Sequence, residues 1–170
     1  MLAIRTLEPR DAKAMLDYFE RNREHLKPWI PTLPIGFYTV DFHSYRLEQY
    51  VQSEKANEEF RFGVFDQSRL VANINLTAIE YGAFLNGRLG YSVDGDYAGQ
   101  GIATEYVNYV CDFAFGNLHL HRLEANVMPR NVASRRVMEK CGFEIVGRSP
   151  QMVRIAGVWE DHDMFARVRD

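Results

Sequence analysis

The segment Asp94-Gly95-Asp96-Tyr97-Ala98-Gly99-Gln100-Gly101-Ile102-Ala103-Thr104 holds the residues best suited to chemistry. Glycines at 99 and 101 let the backbone bend sharply and approach a ligand closely. Ile102, Tyr106, Tyr109, Val110 and Phe113 follow at helical spacing, so a helix is predicted over 101–115. The first amides of a helix have no partner within it, and the helix dipole adds positive potential at that end. Such a turn suits an anion, above all a phosphate, and Thr104 adds a hydroxyl. Glycine-rich loops without ligands share this composition, so the segment alone leaves both readings open.

A second polar pair lies at Asn131 and Ser134, three residues apart and on one side of a helix predicted over 131–140. Both side chains could bond a passing polar ligand, or simply cap the helix. Gly142 is its stop signal. The Pro-rich stretch 25–37 carries His25, Trp29 and Phe37, which could wall an acceptor groove or pack as ordinary apolar groups. Glu80 and Tyr81 end a strand and could meet an incoming cation, or be a solvated hairpin end. His119 and His121 share one face of a possible strand, but no third ligand is legible and a metal is not expected. Asp161-His162 falls in a terminal strand and reads as structural.

The elements that must position these groups follow from periodicity. A strand over 2–5 precedes a helix opened by Glu8-Pro9, with Ala12, Met15, Leu16 and Phe19 as its buried stripe. A second helix is predicted over 41–56. Alternation then gives strands at 60–64, 71–76 and 89–93, with Asn86-Gly87 read as the hairpin turn before the last. Strands over 122–127, 143–148 and 159–168 complete the pattern, with a turn at Ala156-Gly157. The expected class is α+β: a mostly antiparallel mixed sheet with helices on both faces.

With 170 residues, 46% apolar and no linker or repeat, the chain is expected to form one domain over 1–170. A net charge of -3 without a basic run disfavours direct nucleic-acid or membrane-surface binding. The N-terminus has no signal-peptide pattern and no apolar run approaches the roughly 20 residues of a membrane span, so the cytosol is expected. Cys111 and Cys141 are expected to be reduced core thiols. Composition leaves a homodimer open.

Taken in order, these motifs resemble the GNAT superfamily of acetyl-CoA-dependent N-acetyltransferases, and within it the RimJ/RimL type that acetylates protein N-termini. Gly99–Thr104 resembles the pyrophosphate loop. Asn131-Val132-Ala133-Ser134 followed by Cys141-Gly142-Phe143 resembles the second block, with His121–Asn126 between them. Asn22–Trp29 and Gly157–His162 extend the likeness over nearly the whole chain.

The resemblance implies that Gly99, Gln100, Gly101, Ile102, Ala103 and Thr104 hold the pyrophosphate of acetyl-CoA, with no metal. It implies that Tyr91, Ser92 and Val93 pair with the pantetheine amides, that Asn131 contacts that arm, and that Ser134 helps the thiolate leave. The acceptor is then expected to be a protein or peptide N-terminus, with a small amine or a non-catalytic CoA-binding module as alternatives. His25, Trp29, Phe37 and Glu80 are the candidate acceptor residues. Three positions depart from the pattern. Ala98 stands where the loop usually opens with Arg or Gln. Met138 stands where many members carry a tyrosine acid, and Val153 near a glutamate base.

Overall fold

The computed structural model describes residues 1–170. Seven strands form one sheet: β1 (Leu2–Thr6), β2 (Phe60–Asp66), β3 (Arg69–Glu80), β4 (Asn86–Val93), β5 (Arg122–Val127), β6 (Glu144–Ile155) and β7 (Val158–Val168). Their order is β1-β2-β3-β4-β5-β7-β6. Every pairing is antiparallel except β4 with β5. The helices are α1 (Ala12–Arg21), α2 (Arg23–Leu26), α3 (Val40–Lys55), α4 (Ile102–Gly116) and α5 (Val132–Lys140). The α+β class and the mixed sheet agree with the sequence pattern.

Strand alternation sends apolar side chains to both faces and so creates two cores. One packs Phe62, Val64, Ile74 and Leu89 against Val107, Val110 and Met138, on the side of α4 and α5. The other packs Phe65 and Leu70 against Met15, Tyr18 and Leu47, on the side of α1 and α3. Leu70 changes face relative to Ala72 and Ile74 because Val64 pairs with Ala72 and Phe65 with Leu70, which leaves Val71 as an extra residue in β3.

Three local expectations need correction. Asn86-Gly87 is not a turn: both residues lie in β4, where they pair with Arg122 and Leu123. The glycine serves packing there, since a Cβ at Gly87 would meet Leu76 Cδ1 at 2.9 Å. The helix expected at Glu8-Pro9 starts with a 3-10 turn over Pro9–Asp11. His119 and His121 precede β5 in a loop, with His119 at φ 55, so they do not share a strand face. The Ala156-Gly157 turn is present, both residues having positive φ (48 and 85).

Asp94 fastens the end of β4 to α1. Its carboxylate, 1% exposed, accepts from Arg21 at 2.8 Å and Arg69 at 2.9 Å, and from the Asp96 amide at 3.1 Å. Burial pushes this carboxyl up, but the bonds from Arg69, Arg21 and the amide outweigh it and hold it below the usual range. A depressed carboxyl contributes its full stability above its unfolded value near pH 4 and loses it as pH falls through the lower folded value. Asp94→Asn is therefore expected to destabilise the protein by about 2–3 kcal/mol at pH 7. Urea denaturation should show the gap to the native protein shrinking near pH 3.

Candidate active site

The site is built where β4 and β5 part. Their parallel pairing runs from Asn86↔Arg122 to Leu89↔Ala125 and stops there. Beyond it, Gly90 to Val93 stay paired with β3 on one edge, and Asn126 and Val127 stay paired with β7. The edges that face each other across this wedge have no strand partner. Backbone N–H and C=O groups there are free to bond an extended, amide-bearing ligand.

At the mouth of the wedge lies the turn before α4. Gly99 and Gly101 take φ of 76 and 82, a region that side-chain-bearing residues rarely adopt. No side chain caps α4, and its first bond runs from the Glu105 amide to the Gly101 carbonyl at 3.0 Å. The amides from Gly99 to Thr104 have no partner in the chain. Residues 99–101 are also exposed. Free backbone donors at the start of a 15-residue helix are an arrangement suited to an anion. Ala98 is exposed and adds no charge.

The two faces of the sheet present different groups to the wedge. On the α5 face, the Tyr91 hydroxyl lies 2.6 Å from Ser134 Oγ and donates to the Ser134 carbonyl at 3.2 Å. Burial pushes the Tyr91 phenol up to about 12, against the opposing effect of its bond with Ser134. It is therefore a proton carrier and not a phenolate at neutral pH. Ser134 is oriented by the N-cap of α5, where Asn131 Oδ1 accepts from the Ser134 amide at 3.1 Å. Asn131 thus acts as a cap in this structure, with its Nδ2 left over.

On the α1 face, residues that are register partners share one side of the sheet. Gly63, Asn73 and Ser92 form one row across β2, β3 and β4, and Arg61, Asn75 and Gly90 form the next. The Tyr18 hydroxyl, from α1, lies 2.8 Å from Ser92 Oγ. Burial pushes that phenol up to about 12 as well. These rows floor a cavity of about 720 Å³ walled by α1, α3 and the segment between α2 and α3. A Cβ at Gly90 would meet nothing within 4 Å, which keeps the floor open beside the wedge.

Phe19, Phe37, Phe42 and His43 cluster in the wall, with His43 stacked on Phe19 at 5.7 Å. Burial holds the His43 imidazole below its usual range. No aspartate or glutamate lines the cavity. Four buried side-chain polar atoms in the chain lack a partner, and three of them belong to its lining: His43 Nε2, Arg61 Nε and Asn73 Nδ2. Buried polar groups are normally bonded, so these three atoms stand out in the packing around the cavity.

Of the acceptor residues expected from sequence, only Phe37 lines this cavity. His25 is exposed and packs beside Gly95. Trp29 is covered by Arg130 at 4.9 Å, which also bonds Glu160 and so ties the segment to β7. Glu80 lies at the far end of β3, in a separate cleft with Arg88 and Glu124. Sequence reading missed Tyr18, His43, Asn73 and Asn75. The alternating Asn73 and Asn75 in an otherwise apolar strand were the available signal. Asp161 and His162 are structural: Asp161 accepts from the Gln151 amide at 2.9 Å, and His162 Nδ1 lies 3.1 Å from the Glu160 carbonyl. Met138 is buried in the core.

Residues 1–144 match the family model described as an acetyltransferase (GNAT) domain. The chain belongs to the GNAT acetyltransferase family. Across 165 residues it is 40% identical to the probable N-acetyltransferase YjcK of Bacillus subtilis (strain 168), covering 96% of this chain and 91% of that one. The ribosomal-protein-S5-alanine acetyltransferase of Vibrio fischeri has the same fold, with a TM-score of 0.97 at 34% identity over 99% of this chain and 93% of that one. Mycobacterium smegmatis RimJ, solved in complex with CoA-disulfide, matches with a TM-score of 0.93 at 26% identity over 98% of this chain and 81% of that one.

If the Asn73 side chain is kept for a ligand, an apolar replacement should stabilise the protein alone. Asn73→Leu is expected to raise the unfolding free energy by about 1 kcal/mol in urea while turnover falls.

Proposed function

We propose that the protein transfers the acetyl group of acetyl-CoA to the N-terminal α-amino group of a protein or peptide. The observation that carries this reading is the cavity at the wedge, lined by Asn73, Asn75, Ser92 and two arginines and free of carboxylates. A polyamine or a lysine side chain arrives as a cation and gains nothing from such a lining. An amine that is readily neutral suits it. An α-amino group has a pKa of about 7.7–8.0, so roughly 10–15% is neutral at pH 7. A lysine amine near 10.4 is neutral to only a few parts in ten thousand, a handicap of roughly 3–4 kcal/mol.

Acetyl-CoA supplies the thioester carbonyl that the neutral amine attacks. The amides of Gln100 to Thr104 suit its pyrophosphate, and the unpaired edge of Gly90 to Val93 suits the pantetheine amides. That edge also offers N–H groups to the oxyanion that forms on attack. Asn73 and Ser92, the latter held by Tyr18, would orient the amine on the α1 face. On the opposite face, Ser134 would protonate the departing thiolate and take a proton in turn from Tyr91, while the proton shed by the amine passes to water in the open cavity and water returns one to Tyr91. A tyrosine in β4 would thus do the work that other members assign to the helix position filled here by Met138. The likeness to a ribosomal-protein-S5-alanine acetyltransferase supports a protein acceptor.

Thiol release from acetyl-CoA, followed with free N-terminal peptides, N-blocked lysine peptides, amino acids and aminoglycosides, tests the acceptor. N-terminal peptides should exceed lysine peptides by at least a hundredfold at pH 7. Comparable rates on both would overturn the reading, and acetyl-CoA binding without turnover on any amine would point to a non-catalytic module.

The leaving-group assignment is tested separately. Ser134→Ala should lower kcat about a hundredfold, and Tyr91→Phe about tenfold, with little change in the KM for acetyl-CoA. An unchanged kcat in Ser134→Ala would remove it from the chemistry.

A further inference from the structure

We propose that the acceptor cavity also holds a carboxylate seat, made by Arg46 and Arg61 beside Tyr50, which selects peptides with an acidic residue close to the amine. This rests on the N-terminal reading above and adds a sequence preference to it.

The two arginines are the only cationic side chains in the cavity lining, and the lining itself holds no acidic side chain. Arg61 stands on β2 as the register partner of Asn75, which is itself the partner of Gly90. It therefore belongs to the floor, two strands from the wedge, or about 10 Å at ordinary strand spacing. Arg46 comes down from α3. Its guanidinium donates to the Tyr50 hydroxyl at 3.0 Å and lies 5.1 Å from that ring, while Arg61 lies 4.5 Å from the same ring. One tyrosine thus fixes both groups in a single corner of the cavity.

Only one of the two charges is balanced within the chain, that of Arg61 by Glu59. Arg61 bonds Glu59 at 2.6 Å through Nη2, but its buried Nε has no partner. Arg46 has no carboxylate within 4 Å. Stacking on Tyr50 accounts for the position of both side chains, since arginine packs well on aromatic rings. It does not balance the charge of Arg46, which lines a cavity with no acidic side chain in its lining. A planar carboxylate from the acceptor would supply the missing partner of Arg46, because guanidinium groups bind carboxylates through charge-assisted hydrogen bonds. An extended peptide advances about 3.3 Å per residue, so the carboxylate would come from the second to fourth residue.

The test uses the full chain and Ala-led hexapeptides of one sequence with Glu, Gln or Lys placed at position two, three or four. At the best position, kcat/KM for Glu should exceed that for Gln about tenfold, with Lys lowest. The Glu-to-Gln ratio should fall toward one in Arg46→Gln, a substitution of an exposed side chain. It should fall further when Arg61→Gln is added. Glu and Gln peptides turned over equally at every position would overturn the seat while leaving the N-terminal reading intact.

If no peptide is turned over, the N-terminal reading fails first. The seat is then read by calorimetry, using the N-acetylated Glu and Gln peptides with CoA present. Preference for Glu that disappears in Arg46→Gln supports it, and equal or absent binding overturns it.

Discussion

The structure turns on the point where β4 and β5 cease to bond. A parallel pair that ends after Leu89 and Ala125 leaves two strand edges diverging, each with unsatisfied backbone groups. Divergence survives because both strands are secured on their outer edges, β4 to β3 as far as Val93 and β5 to β7 as far as Val127. Each prong also ends at a buried carboxylate gripped by two arginines. Asp94 follows β4 and takes Arg21 and Arg69. Asp163 is the register partner of Val127 and takes Arg135 and Arg148. Breaking a buried pair is costly, so these anchors resist closure of the wedge.

Because side chains alternate along β4, consecutive residues serve opposite faces. Tyr91 reaches Ser134 on the α5 side and Ser92 reaches Tyr18 on the α1 side. A thioester lying through the wedge would therefore meet the acceptor amine from one direction and release its thiol toward the other. The helix turn at 99–104 stands at the open end, where backbone donors can hold a phosphate without any cationic side chain from Ala98. Position in the sheet, more than any single side chain, divides the labour.

Much of this was legible from the residues alone. Local chemistry decided the glycine turn, the Asn131 cap, the five helices' rough positions except the short α2, and the strand over 122–127. These depend on neighbours in sequence, which periodicity and capping rules describe. Asn86-Gly87 misled because the same dipeptide that favours a tight turn also lets Leu76 press against a strand. Tyr91 was legible as a strand residue, but its hydroxyl's meeting with Ser134, 43 positions later, depends on how α5 crosses the sheet. The cavity lining joins α1, α3 and three strands, so no local pattern announces it. His25 and Trp29 looked like groove residues because aromatic groups beside prolines suit either a wall or a brace, and Trp29 packs against Arg130 outside the cavity lining.

The two cysteines have a practical consequence. Cys111 and Cys141 are both buried and unpaired, and burial pushes the Cys111 thiol up to about 12 and raises that of Cys141. Thiol reagents attack the thiolate, so the folded protein is nearly silent toward them. A chromogenic disulfide added to the reaction will report the small-molecule thiol as it is made, with a low protein background. The same dye without substrate becomes a clock for how often the core opens.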